Sequence, residues 1–303
     1  METQHPKTRG LFHIIFVSPD EPRLRAGWRL LIQTALLIFL AIAASILASG
    51  LILTTGGLAG AMLNQLVELI VFGGSIFLAR WLLDRRSVVS LGLRFNLQAL
   101  LDLGAGIVIT FFLMGSIYLA ILSLGWLTFE GFAWQVDSQA SVLQNTLGIF
   151  AVFLLVGWNE ELLSRGYHLQ TIASGTNLTW GVLLSSSVFG LLHLGNPGAT
   201  WASVAGIFFA GIFLALGYLR SGQLWISIGL HIGWNFFEGV VFGFPVSGID
   251  VYPLTRITVH GPELWTGGAF GPEAGLIVLP ALVLGAALVM FYTRGRSGRP
   301  DIS

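Results

Sequence analysis

The chain has 303 residues, 54% of them hydrophobic and only 10% charged, with 15 basic and 15 acidic side chains and a mean hydropathy of +0.80. A soluble domain carries about 25% charge, so the composition excludes an ordinary soluble enzyme, a disordered chain and a charge-driven nucleic-acid binder. The absence of cysteine excludes a thiol nucleophile, a Cys-based metal site and any disulfide. A membrane β-barrel would show short alternating strands, whereas long unbroken apolar runs dominate here. The expected fold is therefore all-α: a polytopic membrane protein of about eight transmembrane helices with a buried polar site.

In chain order, a polar cytoplasmic tail is expected over residues 1–27 and a single membrane domain over residues 28–293. A bilayer core about 30 Å thick asks for roughly 20 apolar residues of helix per crossing. Eight runs read that way: Trp28–Ser49, Leu58–Leu82, Leu103–Leu127, Leu143–Ala173, Leu178–Leu194, Trp201–Leu219, Leu224–Phe244 and Ala274–Tyr292. The first follows a long polar stretch and exceeds the apolar region of a cleaved signal peptide, so it reads as a span. A Gly- and Pro-rich loop, Pro245–Glu273, separates the last two runs. It carries Trp265, a residue favoured at membrane interfaces, and reads as an outer interfacial loop or as a lid. A short basic tail, residues 294–303, is expected to be cytoplasmic. No internal repeat is visible.

Charge placement supports this organisation. With eight crossings, one side collects Lys7, Arg9, Arg23, Arg25, Arg29, Arg80, Arg85, Arg86, Arg94, Arg165, Arg220, Arg294, Arg296 and Arg299, and the other only Arg256. The second side instead carries Glu130, Asp137, Asp250, Glu263 and Glu273. Basic residues accumulate on the cytoplasmic side of a membrane protein, so a multi-pass protein of the cell membrane with both termini cytoplasmic is expected.

Ionisable side chains inside apolar runs are costly and mark either internal partners or function. In Glu160-Glu161-Leu-Leu-Ser-Arg165, the second glutamate and the arginine are four residues apart and share a helix face. Glu160, about 100° round the helix, lacks that partner. The group reads as one structural and one free carboxylate, or as an ion network that only locks helices together. Glu160 and His193 flank the turn Gly175-Thr176-Asn177 at equal distance, about 24 Å along each arm of a helical hairpin, and so fall at one level. His193 sits in a stretch with no Asp, Glu, Lys or Arg. It is either the partner of Glu160 or an interfacial histidine bonded to a backbone carbonyl. His231 and Asn235 again share a helix face, beside Gly229 and Gly233, a small-residue pair suited to close helix approach. They read as donors aimed into the bundle interior or as polar glue between helices. Glu68 and Glu238 are expected to be interior partners, Glu238 lining the same cavity as His231, and His168 to sit toward the cytoplasmic headgroups.

A free carboxylate and a histidine can hold and deprotonate water, and a second histidine with an asparagine amide can donate to a developing oxyanion. The combination fits general-base hydrolysis of an amide bond without a covalent intermediate. Ser185, Ser186 and Ser187 lie in an apolar run with no Gly-x-Ser-x-Gly elbow. Two histidines and a glutamate can also bind zinc. No His-Glu-x-x-His sequence occurs, however, so no cofactor is expected and zinc is the secondary reading.

The motifs Glu160-Glu161-x-x-x-Arg165, Phe189-x-x-x-His193 and His231-x-x-x-Asn235, in this order and each in a membrane run, resemble those of the CAAX prenyl protease and bacteriocin-processing (CPBP, or Abi) family. The resemblance covers about residues 143–243, which it makes the catalytic core. It implies an eight-helix intramembrane glutamic endopeptidase with a site open to the cytosol. The implied substrate is a membrane-associated protein or peptide, prenylated and CAAX-like for eukaryotic members. Glu160 then corresponds to the water-activating base, His193 to its partner, and His231 and Asn235 to the oxyanion-stabilising pair. Glu161 and Arg165 correspond to supporting positions, and Phe189 packs the ring of His193. Bacterial members include immunity and scaffold types, so a non-catalytic membrane binding or regulatory protein is the alternative from another class. A proton-coupled transporter would show repeat symmetry or broken helices, which the sequence lacks.

Overall fold

A computed structural model describes residues 11–19 and 21–296. Lys7, Arg9 and Arg299 lie outside the described residues, as do most of the C-terminal tail and the first ten residues of the N-terminal one. The rest of the N-terminal tail includes a short helix, α1 (Leu11–Phe16), with Leu11, Ile14 and Ile15 exposed.

The long helices follow the apolar runs. They are α2 (Ala26–Thr54), α3 (Gly57–Leu82), α4 (Leu97–Ser123) and α5 (Gln139–Glu161). A π-helical stretch, Leu162–Leu169, carries α5 into α6 (Gln170–Gly175). Then come α7 (Leu178–Leu192), α8 (Trp201–Ser221) and α9 (Trp225–Asn235), the last prolonged by a second π stretch, Phe236–Val241. Beyond it lie α10 (Glu263–Thr266) and α11 (Val278–Tyr292). Local chemistry sets several boundaries. Asn96 and Asn177 cap α4 and α7 by accepting from Ala99 N and Trp180 N, and Thr200 and Ser203 form a reciprocal capping box at α8. Gly222 ends α8 in the left-handed conformation that glycine adopts without penalty.

Six helical segments among the described residues are long and apolar enough to cross a bilayer, against the eight expected. The last two expected runs give shorter helices. α9 is enclosed by α4, α5 and α8, and every residue from Ile226 to Asn235 is buried. Protein, not lipid, surrounds it, so the thickness of the hydrocarbon layer does not set its length. α11 has 15 residues and starts at Val278, because Pro272–Ala274 forms a 3-10 turn first.

The helix ends gather into two opposite faces. On the face rich in arginine, buried Asp84 takes Arg29 and Arg80, Arg29 also reaches Ser174, and Arg80 reaches Gln170. Leu224 N donates to Gly92 O, and Arg296 pairs with Asp102 at 2.6 Å. On the other face, β1 (Leu127–Phe132) pairs antiparallel with β2 (Thr255–Val259). Tyr252 and Arg256 both reach Asp137, and Asn196 donates to the Ser247 carbonyl. The loop Pro245–Glu273 is thus fastened to this face. Neither strand was anticipated: the third apolar run was expected to stay helical to Leu127, but α4 stops at Ser123 and Gly125, with φ 72°, turns the chain into β1.

α9 lies against α4 at glycine contacts. A Cβ on Gly229 would meet the backbone of Leu103, and one on Gly233 the Thr110 hydroxyl and Ile107; from the other side, one on Gly106 would meet the backbone at Gly229–Leu230. Overpacking a close contact costs typically 1–3 kcal/mol. Gly229→Ala is therefore expected to lower the melting temperature by an amount equivalent to about 1–3 kcal/mol. Gly104→Ala, on the same helix as Gly106 but with open space at its Cβ position, should leave it nearly unchanged. Thermal unfolding of the two purified variants checks this.

Candidate active site

Two helices that carry the polar motifs change their winding at them. α5 passes from α to π immediately after Glu160-Glu161, and α9 does so immediately after Asn235. π segments are rare and concentrate at functional positions. The turn expected at Gly175-Thr176-Asn177 is present, and α7 returns from it antiparallel to bring His193 back to Glu160.

Glu160, Phe189, His193, His231 and Asn235 line one cavity of about 460 Å³. Glu160 Oε2 lies 3.9 Å from His193 Nε2 and 3.7 Å from His231 Nε2. These separations are too long for direct hydrogen bonds and of the right order for a shared water. His193 Nδ1–H donates to the Phe189 carbonyl at 2.8 Å, which leaves Nε2 as the acceptor facing Glu160. The two sequence readings of His193, carboxylate partner and backbone-bonded ring, thus hold together: one nitrogen serves each. Phe189 packs edge-on against both imidazoles, with ring centroids 4.8 Å from His193 and 6.0 Å from His231.

Behind the cavity, Glu161 and Arg165 are fully buried and paired at 2.7 Å. Arg165 also donates to the Gly211 carbonyl of α8 at 2.9 Å and stacks over Phe189, 4.4 Å from its centroid. Sequence spacing did not show the second duty of Glu161. The same Oε1 that takes Arg165 also accepts from His231 Nδ1–H at 2.8 Å. The first motif thus orients the third across the α5–α9 contact, which no local periodicity reveals.

Glu68 lines the cavity and is held by Asn64. Glu238, expected to share the cavity, is instead fully buried outside it, and neither carboxylate oxygen has a hydrogen-bond partner among the described residues. Glu273 takes the expected place of Glu238. It lines the cavity, accepts from Trp234 Nε1 at 3.0 Å, and accepts from the Ser247 backbone N–H and hydroxyl at 2.8 and 2.6 Å. Burial pushes its carboxyl above the usual carboxylate range. The only sequence signal for Glu273 was an acid abutting the eighth apolar run, which read as part of the loop. His168 lies in the first π stretch, half-buried, away from the cavity. Among the described residues, no three His, Asp or Glu side chains are grouped so as to hold a metal ion.

Residues 142–237 match the family of type II CAAX prenyl endopeptidases described as Rce1-like. This segment is similar to that family. It contains all three motifs and both α-to-π transitions, and its similarity to that family supports a peptidase of the CAAX type in a multi-pass helical membrane protein. No curated protein and no solved structure matches the chain.

The shared acceptor separates two variants. Glu161→Gln removes the anion from both Arg165 and His231, and breaking a buried pair from one side costs roughly 3–5 kcal/mol. Arg165→Gln breaks the same pair but leaves His231 its acceptor. Both should lower the melting temperature, whereas activity per folded molecule should fall further in Glu161→Gln. Thermal unfolding beside active-fraction-corrected turnover tests the order.

Proposed function

We propose that this protein is an intramembrane endopeptidase that hydrolyses a peptide bond of a membrane-associated protein or peptide, with water activated by Glu160 and His193. The observation that carries the reading is the placement of Glu160 Oε2 between the two imidazole Nε2 atoms, 3.9 and 3.7 Å away, in a cavity large enough for a peptide segment.

Water held between Glu160 and His193 Nε2 gives a proton to the Glu160 carboxylate as its oxygen attacks the scissile carbonyl carbon. The resulting tetrahedral oxyanion takes hydrogen bonds from the Asn235 amide and from His231 Nε2–H. Because His231 Nδ1–H is already donated to Glu161, Nε2 donates when the ring carries both protons, a form whose charge lies opposite the Glu161 carboxylate. Protonated Glu160 then delivers its proton to the leaving nitrogen, and the C–N bond breaks. Glu161 and Arg165 position His231, and Phe189 fixes both rings. The bilayer is the working environment, both termini are cytoplasmic, and no cofactor takes part. The metal-free reading rests on the sequence, which has no His-Glu-x-x-His run. A binding or regulatory protein would have no use for a water base and an oxyanion pair in one cavity.

Glu160 Oε2 is buried with no hydrogen-bond partner among the described residues. Glu160→Gln should therefore leave the melting temperature close to that of the parent, because no hydrogen bond of this oxygen is lost. A positioned general base contributes roughly 10²–10⁴-fold, so kcat should fall by about that factor. Cleavage of a quenched prenylated peptide series by purified protein provides the assay, and full activity of a stable Glu160→Gln would remove the mechanism.

Metal dependence is checked on the same assay. Turnover should survive prolonged chelation and remain unchanged on adding zinc. Loss that only zinc restores would transfer Glu160 and the histidines to a metallopeptidase.

A further inference from the structure

A second cavity, of about 980 Å³, lies on the arginine-rich face between the start of α2, the end of α6 and one side of α7. It shares no lining residue with the Glu160 cavity. Its polar end holds Arg25, Trp28, Arg29 and Ser174. Positions three and four apart share a helix face, so Trp28 and Arg29 follow Arg25 on one side of α2. Arg25 is exposed, and its side chain has no partner among the described residues. Arg29 is buried. Its terminal nitrogens are taken by Asp84 and Ser174, but its Nε is enclosed without a partner among the described residues. Buried N–H groups are normally satisfied, so this one points to an acceptor that the chain does not supply. No side chain caps α2, and its first residues, Ala26 and Gly27, also line the cavity. The N–H groups of a helix N-terminus favour anions. Among the described residues no acidic side chain lines the cavity.

The other end is apolar. α7 starts at Leu178 on the arginine-rich face and contributes Leu184, Val188 and Leu191, all exposed. At 1.5 Å per residue these lie about 9–20 Å along the helix from its first residue. That is roughly the depth of one leaflet in a hydrocarbon core about 30 Å thick. Trp28 marks the boundary between the two ends. Its Nε1 donates to the Ile15 carbonyl of α1 at 3.1 Å, and α1 exposes Leu11, Ile14 and Ile15. An indole beside a short apolar helix suits the headgroup level of a bilayer. A small anion would fill the polar end and leave the apolar end empty. A zwitterionic headgroup would bring a cation to a site with no acid to receive it.

We propose that this cavity binds one anionic phospholipid of the adjoining leaflet, with the headgroup phosphate on Arg25, Arg29 Nε and the N-terminus of α2, and an acyl chain along Leu184, Val188 and Leu191 of α7. The lipid site is separate from the Glu160 cavity and does not depend on the peptidase reading above.

The test uses the purified full chain in detergent, titrated separately with dioleoylphosphatidylglycerol, dioleoylphosphatidylcholine and inorganic phosphate. Bound lipid is counted by native mass spectrometry, and melting temperature is followed in parallel. A ligand that binds only the folded state raises the melting temperature with its concentration. One phosphatidylglycerol should be retained and should stabilise the protein, and phosphatidylcholine should do so more weakly. Arg25→Gln, at an exposed position without a partner, should fold as the parent does. It should weaken phosphatidylglycerol binding about tenfold, the worth of one hydrogen bond between charged groups. Val188→Trp fills the apolar end without changing the charge, and should weaken binding as well. Arg94→Gln removes an exposed arginine of the same face that lies outside this cavity, and should leave binding unchanged. The proposal is overturned if no lipid is retained or if the two lipids bind equally. Equal losses in Arg25→Gln and Arg94→Gln would mean diffuse attraction to the whole face and also overturn it. So would full binding by Val188→Trp, or an equal stabilisation by inorganic phosphate, which would mean a small-anion site.

Discussion

The polar interior of this protein hangs on one carboxylate oxygen. Glu161 Oε1 accepts from Arg165 of its own helix and from His231 of α9, at 2.7 and 2.8 Å. Arg165 carries the connection onward to the Gly211 carbonyl of α8 and to the face of the Phe189 ring on α7. A charge deep in a membrane bundle has no water to fall back on, and one without partners costs several kcal/mol. The cluster therefore assembles only when α5, α7, α8 and α9 are all in register. Four helices are fixed by one ion pair and its neighbours, and the rings that face the cavity inherit that precision.

The same constraint accounts for the departure from ideal helix at the motifs. Glu160 must face the cavity while Glu161, its chain neighbour, faces away into the protein, and the α-to-π change begins immediately after them. α9 must hold His231 within hydrogen-bond reach of α5 while its other face lies against α4. The glycines at 229 and 233 permit that approach because side chains there would collide with Leu103 and Thr110. The cavity geometry and the tight packing are thus two faces of the same short, wholly buried helix.

What was legible in the sequence was what depends on local spacing. The four-residue separation of Glu161 and Arg165, the equal arms from the Gly175-Thr176-Asn177 turn to Glu160 and His193, and the one-sided arginines all follow from helix rise, helix pitch and charge counting. What was not legible depends on contacts between elements. The bond from Glu161 to His231 joins residues 70 apart. Exchange of the expected Glu238 for Glu273 depends on how the chain after α9 folds back, which apolar periodicity does not encode. The count of long apolar helices differs from eight for a related reason: hydropathy does not distinguish a helix sheathed in protein from one sheathed in lipid, and α9 is the former. The short strands were hidden because Leu127–Phe132 continues an apolar run without a break.

The loop after α9 had two readings, interfacial element or lid, and its bonding favours a fixed wall. β2 is paired along its length with β1, Tyr252 and Arg256 are held by Asp137, and Ser247 is held by both Asn196 and Glu273. Glu273 in turn accepts from Trp234, which lies between His231 and Asn235 on α9. Opening this segment would break the Trp234 and Ser247 bonds of a buried carboxyl group together, and each orphaned buried polar group costs about 1–3 kcal/mol. Admission of a peptide by such a movement is therefore disfavoured. The less costly route passes Asn64 on α3 and Leu192 at the end of α7, which line the cavity and are already exposed. Leu192 is a residue for lipid rather than water, so this route suits a substrate that arrives along the bilayer instead of through the aqueous phase.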